Sequence, residues 1–567
     1  MKKIVFKSCF LMSFFAVGSL LNSCSTIKEL EYNVTENPLQ MHADDVTLQI
    51  NGKFVEKGLN AKAVAEVTPL FVCNDGTEIA FQTEIFQGPK AAANGKVVPK
   101  EGVSFSYSST IPYQKCMEEG IVKVRVVAKK GKKEEEMYKD KIADGTVITP
   151  YLLQLDDQVI SANDAFQRIT SHQTDAVINF NKGQATVKSS ELKDQDIVDL
   201  MAFVLEATTN PRRELKSINV QSYASPEGEI DKNENLAKDR AESAKSAVVR
   251  EMKKMKFEAG QADAFYSIEP KGEDWSGFKT EVEKTTHEDK ELILRVLQMT
   301  TDLNKREQEI RNMAKTYTFL EKEVLPQLRR SQMTLSYDKV GYSDDELKDL
   351  SKTNPDTLNV EELLFTATLY DELSEQLRVY GEAQRLFPND WRTANNVGCV
   401  QYLQGDLEAA GASFEKASEA SENETVNNNI GAVAHMKGDR GRAMELFTAA
   451  GSSAETKYNL GLLKVQQGLY DEAVTNMGSN MTFNSALANL LSGDADGAAK
   501  TIDGSNAKDE AMSYYLKAII GAKTNNSEML MDNLKIAFEK DGNLKAKAKR
   551  DREFIRFFEN ADFLAIF

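Results

Sequence analysis

Four histidines and five cysteines in 567 residues leave few donors for a metal centre. No Cys-x-x-Cys pair and no His-Glu-x-x-His helix is present, so the common zinc spacings lack their ligands. His42, His172, His287 and His435 stand far apart in the chain. No Gly-x-Ser-x-Gly elbow, phosphate-binding loop or Gly-x-Gly-x-x-Gly turn follows a predicted strand. An enzyme is therefore not expected, and neither a cofactor nor a metal. Basic residues are also short, 70 against 87 acidic, for a net charge of −17. Such a surface repels phosphate backbones, which argues against a nucleic-acid partner. The lysines Lys129, Lys130, Lys132 and Lys133 are cancelled by Glu134, Glu135 and Glu136 and read as a solvated hairpin tip. Beyond the N-terminal segment, no apolar run is long enough to span a bilayer.

That segment carries Lys2 and Lys3, an apolar stretch from Ile4 to Leu21, and small residues before a cysteine, the grammar of an export signal. Leu21-Asn22-Ser23-Cys24 resembles a bacterial lipobox, with Asn22 departing from the usual −2 residue. The resemblance implies a signal peptide over 1–23, lipid attachment at Cys24 and a membrane anchor that does not span. Residues 24–40 then read as a polar tether. Cys9 falls in the signal, and Cys399 in a helical repeat, where it reads as a small apolar residue. Cys73 and Cys116 both lie in a β-rich stretch of an exported chain, where disulfides are permitted; sequence leaves open whether they pair.

Composition is that of a globular chain, 41% hydrophobic and 28% charged, and the length calls for three or four domains. Val46, Leu48 and Ile50 are spaced by two, as are Val122, Val124 and Val126, with Asn51-Gly52, Asp75-Gly76 and Asn94-Gly95 as turn signals. This predicts an all-β sandwich over 41–150. From 173 to 342 strands and helices mix: strands over 176–180, 218–223 and 333–337, and helices over 196–206, 233–253, 288–299 and 303–328. The pattern is that of an α+β sandwich. Leu364, Gly398, Gly431 and Gly461 then recur at intervals of 34, 33 and 30. Each of the three central units carries further small and large apolar residues in step, such as Gly405, Ala410 and Phe414, then Gly438, Ala443 and Phe447. The spacing resembles the tetratricopeptide repeat and predicts an all-α solenoid over 357–567, closed by a C-terminal cap.

One short stretch invites a site. Ser225-Pro226-Glu227-Gly228 ends a strand, and Asn233-x-x-Leu236-Ala237-x-x-Arg240-Ala241 opens the helix after it. Asn233 and Arg240 are two helical turns apart and share a face. Together with Phe180, Gly183 and Ala185, these residues resemble the OmpA-like domain of bacterial envelope proteins, which grips the peptide stem of peptidoglycan. The resemblance implies a clamp in which Arg240 forks onto a carboxylate while an acid in the loop takes an ammonium. The family's Asp is Ser225 here, with Glu227 two residues on. Two readings stay open: Ser225, Glu227, Asn233 and Arg240 bind peptidoglycan, or the loop is only a tight turn.

Order and motif together resemble a Bacteroidota-type envelope lipoprotein: lipobox, β-sandwich, OmpA-like domain with a helical insertion, and tetratricopeptide repeats. The expectation is a protein anchored by lipid in the outer membrane, on its periplasmic side. Its repeats would present a concave groove to a protein partner, with Arg392, Asn395, Thr425, Asn428 and Tyr458 facing it and Tyr402 and His435 nearby. The alternative is an assembly or secretion accessory factor that binds proteins alone, its OmpA-like domain having lost peptidoglycan.

Overall fold

A computed structural model describes residues 26–567. The signal segment and Cys24 lie outside the described residues. The chain divides into two compact units. One is built from residues up to Ala162 together with Pro388–Phe567, the other from Asn163–Phe387. The three successive domains of the sequence reading thus become a discontinuous unit and an inserted one.

In the discontinuous unit two sheets face each other. One has Asp45–Phe54 at its centre, paired antiparallel with Val103–Pro112 on one side and with Glu31–Val34 and Leu39–His42 on the other; Thr146–Val147 adds to the last in parallel. The second orders Lys133–Ala143, Ile121–Lys130, Val64–Val72, Glu84–Gln87 and Lys96–Val97, with Glu78–Ala80 also paired to Val64–Val72. The alternating Val46, Leu48 and Ile50 and the valines 122, 124 and 126 all point inward and are buried, because successive strand residues face opposite sides. A disulfide joins Cys73 to Cys116.

Residues 27–40, expected as a polar tether, are folded instead. Ile27 and Leu30 are 2% and 3% exposed, and two strands form between residues 31 and 42. Tyr32 with Val34 and Leu39 with Met41 carry a period of two, which the polar residues between them and Pro38 mask. Residues 27–40 therefore belong to the sandwich.

The helical part of this unit stacks five antiparallel pairs: Trp391–Leu403 with Leu407–Ala420, Glu424–Met436 with Arg440–Ala449, Ala454–Gln466 with Tyr470–Met477, Phe483–Leu491 with Ala495–Gly504, and Ala511–Lys523 with Ser527–Lys540. Gly398, Gly431 and Gly461 let the two helices of a pair touch. A Cβ there would stand 2.6 Å from the Phe414 ring, 2.8 Å from the Phe447 ring and 2.5 Å from Met477. The turns are closed by Gly405 and its equivalents at positive φ, followed by Asp406, Asp439 or Asp494 capping the next helix. The fourth pair escaped the sequence reading because its helices have only 9 and 10 residues, which breaks the period. Three short helical turns after Asn543 form the cap, with Phe554 and Phe563 buried.

The inserted unit has a four-stranded sheet in the order Ile169–Asn179, Arg330–Val340, Arg213–Ala224 and Tyr266–Glu273, the last pair parallel. Helices Gln195–Thr209 and Ile230–Lys254 cover one face through Ile197, Leu200, Val204, Ala244 and Val248, packed on Ile178, Val220, Met333 and Leu335. This is a two-layer α+β sandwich. Between the strands ending at Glu273 and starting at Arg330, a helical excursion builds its own core around Phe278, Ile293, Ile310 and Leu328. The single helix expected over 303–328 breaks at Met313 and ends in a π turn before Pro326, whose missing N–H and ring clash bar it from a helix interior. Helices Val360–Thr368 and Leu373–Leu386, read from sequence as the first repeat, fall in this inserted unit.

Candidate functional site

The first helices of the first four pairs present a row of asparagines, Asn396, Asn429, Asn459 and Asn484. Residues 153–162, which follow the sandwich, run extended along that row. Asn396 accepts from the Ala162 N–H at 2.7 Å and donates to its carbonyl at 2.9 Å. Asn429 does the same to Ile160 at 2.7 and 2.8 Å, Asn459 to Gln158 at 2.7 and 2.9 Å, and Asn484 to Gln154 at 2.9 and 2.8 Å. A carboxamide carries a donor and an acceptor side by side, so one asparagine can satisfy both main-chain groups of one residue, as a neighbouring strand would. Among the described residues, no backbone group of 154–162 bonds to another backbone group. The segment runs opposite to the repeats: Ala162, Ile160 and Gln158 meet the first three helices in steps of two, and Gln154 meets the fourth after a step of four.

A second row braces the first. Asn395 donates to the Ile160 carbonyl and Asn428 to that of Gln158. Their own oxygens accept from Asn429 at 2.8 Å and Asn459 at 3.1 Å. Tyr402 donates to the Asp157 carbonyl at 3.1 Å, and the Cys399 thiol faces the carbonyl of Ile160. Burial pushes that thiol up to about 12.

Side chains of the segment are read as well. Asp157 meets His435 Nδ1 at 2.7 Å, both side chains fully buried, and the other ring nitrogen meets the Gln466 oxygen at 3.0 Å. A carboxylate oxygen and an amide oxygen thus face the two ring nitrogens, an arrangement that favours the protonated ring. Burial lowers the pKa of His435, but the hydrogen bond and charge of Asp157 and the bond to Gln466 outweigh it, and the pKa is raised. Burial also raises Asp157, against the pull of His435. Asp156 is held by Tyr458, whose hydroxyl lies 2.9 Å from both carboxylate oxygens, and by Asn484 at 2.8 Å. Val159 packs against the cores of the first two pairs in this unit, and Leu153 against those farther along.

Of the groove residues expected from sequence, Asn395, Tyr402, Asn428, His435 and Tyr458 are brought together. Arg392 instead turns onto Asp390 at 2.7 Å, within its own helix cap. Thr425 stands half-buried in the first turn of its helix. Counting from the repeat glycines found the bracing row but missed the residue after it: Asn396, Asn429, Asn459 and Asn484 make the paired main-chain bonds. The doublets Asn395-Asn396 and Asn428-Asn429 carried that signal. The groove expected to await a partner holds the chain's own segment.

In the inserted unit the loop and helix singled out from sequence do converge, as a closed network. Arg240 is 1% exposed and donates to the carbonyls of Gln184 at 3.0 Å, Tyr223 at 2.8 Å and Asn181 at 3.2 Å, above the Phe180 ring. Burial, with Arg329 beside it, pulls its pKa down to about 10. Glu227 turns inward onto Arg329 at 2.7 Å and Lys182 at 3.0 Å and accepts from Ser225 at 2.6 Å. Asn233 donates to Glu273 at 2.8 Å and, at 3.4 Å, to the Ser225 carbonyl. The arginine joins the exit of one strand to the end of another.

No group of three His, Cys, Asp or Glu side chains among the described residues is placed to hold a metal. No described helix is long and apolar enough to cross a membrane. No family model and no curated protein matches the chain. Solved structures do. It is similar to YrrB, described as a TPR protein with an unusual peptide-binding site, at 18% identity over 36% of this chain and 99% of that one, TM-score 0.22. It is similar to a tetratricopeptide repeat protein from Parabacteroides merdae at 18% identity over 37% and 90%, TM-score 0.28, and to yeast Tom70 at 11% over 66% and 88%, TM-score 0.25.

Proposed function

We propose that this chain is a non-enzymatic, lipid-anchored scaffold of the bacterial outer membrane whose repeat groove grips extended polypeptide. The observation that carries the reading is the asparagine row: four carboxamides, one on each of the first four helix pairs, each closing two bonds on a single residue of an extended chain. Such a grip reads backbone, which every polypeptide has, and so belongs to a protein-holding surface. The lipobox-like Leu21-Asn22-Ser23-Cys24 supports anchoring, and the disulfide between Cys73 and Cys116 supports an oxidising compartment. Arg240 supports the version that binds proteins alone, since its guanidinium already serves three carbonyls.

Fractionation of a Cys24→Ala variant tests the anchor. The variant is expected in the soluble envelope fraction, because acyl chains contribute about 0.8 kcal/mol per buried CH₂ and their loss removes that affinity. Unchanged membrane association would refute lipid anchoring. Loss of protection from amide exchange over residues 154–162 in Asn429→Ala tests the grip itself.

A further inference from the structure

We propose that residues 153–162 are an internal stand-in for a ligand, and that the groove exchanges them for an extended segment of a partner protein that presents a carboxylate to His435 and an aliphatic side chain two residues later. The inference rests on the groove being a backbone grip, as proposed above, and adds what it selects and how it is kept closed.

First, the segment is held as a ligand is held. Its main-chain hydrogen bonds come from side chains of the repeats, and no strand continues it on either side. Secondly, selectivity must come from side chains, because the carboxamide bonds are blind to sequence. Three positions supply it: Asp157 against His435 at 2.7 Å, Val159 between two repeat cores, and Asp156 against Tyr458 and Asn484. An acidic pair followed at the second position by an aliphatic residue is the pattern these surfaces fit.

Thirdly, the resident segment fits imperfectly. The Asp157 side chain is fully buried, yet its Oδ2 has no hydrogen-bond partner. A buried carboxylate oxygen left unpaired weakens the hold. The segment prevails because it is tethered, and a short tether supplies an effective concentration in the millimolar range. A free peptide of the same affinity does not displace it. A partner that satisfies the acid better, or brings a second contact, does.

The test uses a fluorescent synthetic peptide with the sequence of residues 152–162 as probe, titrated into the chain from residue 25 onward. Asp157→Lys sets a cation against His435 and ejects the resident segment. We expect this variant to bind the probe at least tenfold more tightly than wild type, and a probe carrying Lys at the same position to lose that binding. Adding Asn429→Ala and Asn459→Ala should abolish it. Val159→Asp is the second ejecting variant, used if circular dichroism shows Asp157→Lys to be unfolded. A folded ejecting variant that binds the probe no better than wild type overturns exchange and leaves a permanent clasp. Unchanged amide protection over 154–162 in Asn429→Ala overturns the backbone grip instead, so the two failures are distinct.

Discussion

Asn429 closes two hydrogen bonds on the backbone of Ile160, a residue 269 positions earlier in the chain. The same side chain donates to Asn395 in the preceding repeat. One carboxamide thus ties three parts of the discontinuous unit: the segment after the sandwich and two successive helix pairs.

Asn429→Ala removes both main-chain bonds and leaves the buried Ile160 N–H unpaired, while the Ile160 carbonyl keeps the Asn395 amide as donor. The loss is expected at about 2 kcal/mol, since an orphaned buried group is worth roughly 1–3. Hydrogen exchange should report it locally, with the Ile160 amide exchanging far faster. Asn429→Asp is the sharper variant. It keeps the acceptor for Ile160 N–H but sets a carboxylate oxygen against the Ile160 carbonyl, and should be at least as disruptive as alanine. Wild-type exchange in both would remove the clasp from any part in stability.

The His435–Asp157 pair predicts a pH dependence with a definite sign. His435 has a raised pKa when folded, so its contribution is full below its unfolded value of about 6.5 and is lost as pH rises through the raised value. Asp157 is likewise raised, by burial, and acts in the same direction at lower pH. The charge of Arg440 opposes that of the ring, and Asp156, next to Asp157 in the chain, is held by its own bonds to Tyr458 and Asn484. Urea midpoints for the discontinuous unit should therefore fall between pH 6 and pH 8.5, and His435→Gln should flatten that slope. An equal slope in wild type and His435→Gln would locate the titration elsewhere.

Where a pattern is local, the sequence carried it. The period of two at Val46, Leu48 and Ile50 and the spacing of Gly398, Gly431 and Gly461 both mark contacts with near neighbours in the chain or the repeat. Where the partner is distant, it did not. Residues 153–162 have no period, because asparagines hold the backbone at 154, 158, 160 and 162 while side chains on both sides are read, so a connector and a bound segment look alike. Asn233 and Arg240 were legible as sharing a face, yet the carbonyls of Asn181, Gln184 and Tyr223 that occupy Arg240 have no sequence signature. Backbone acceptors exist at every position.

Arg240 separates a structural residue from a ligand-binding one. Arg240→Ala takes a donor from three carbonyl oxygens inside the inserted unit, of which that of Asn181 keeps the Gln184 N–H, and destabilisation of roughly 3 kcal/mol is expected. Arg240→Lys keeps a charge but not the planar fork, and should recover only part. Wild-type protein is expected to stay in the supernatant when peptidoglycan sacculi are pelleted at low salt. If wild type pellets, and a folded Arg240→Ala does not, the carboxylate clamp implied by the resemblance is restored.

The division of the chain makes a prediction of its own. Ala162 and Pro388 belong to one compact unit although the whole inserted unit, Asn163–Phe387, separates them in sequence. The sandwich core, the asparagine row and residues 154–162 all lie on the discontinuous side, so none of these contacts needs the insertion. Replacing 163–387 by a flexible Gly/Ser linker of about 20 residues, which reaches roughly 25 Å on average, should leave a folded protein. Its expected signature is one cooperative urea transition and retained amide protection at Gln158, Ile160 and Ala162. Closing a long loop adds little entropy per doubling of its length, about 0.6 kcal/mol, so shortening the connection should stabilise slightly if it changes anything. Loss of protection over 154–162 while the sandwich stays folded would mean that the groove holds its segment only with the inserted unit present.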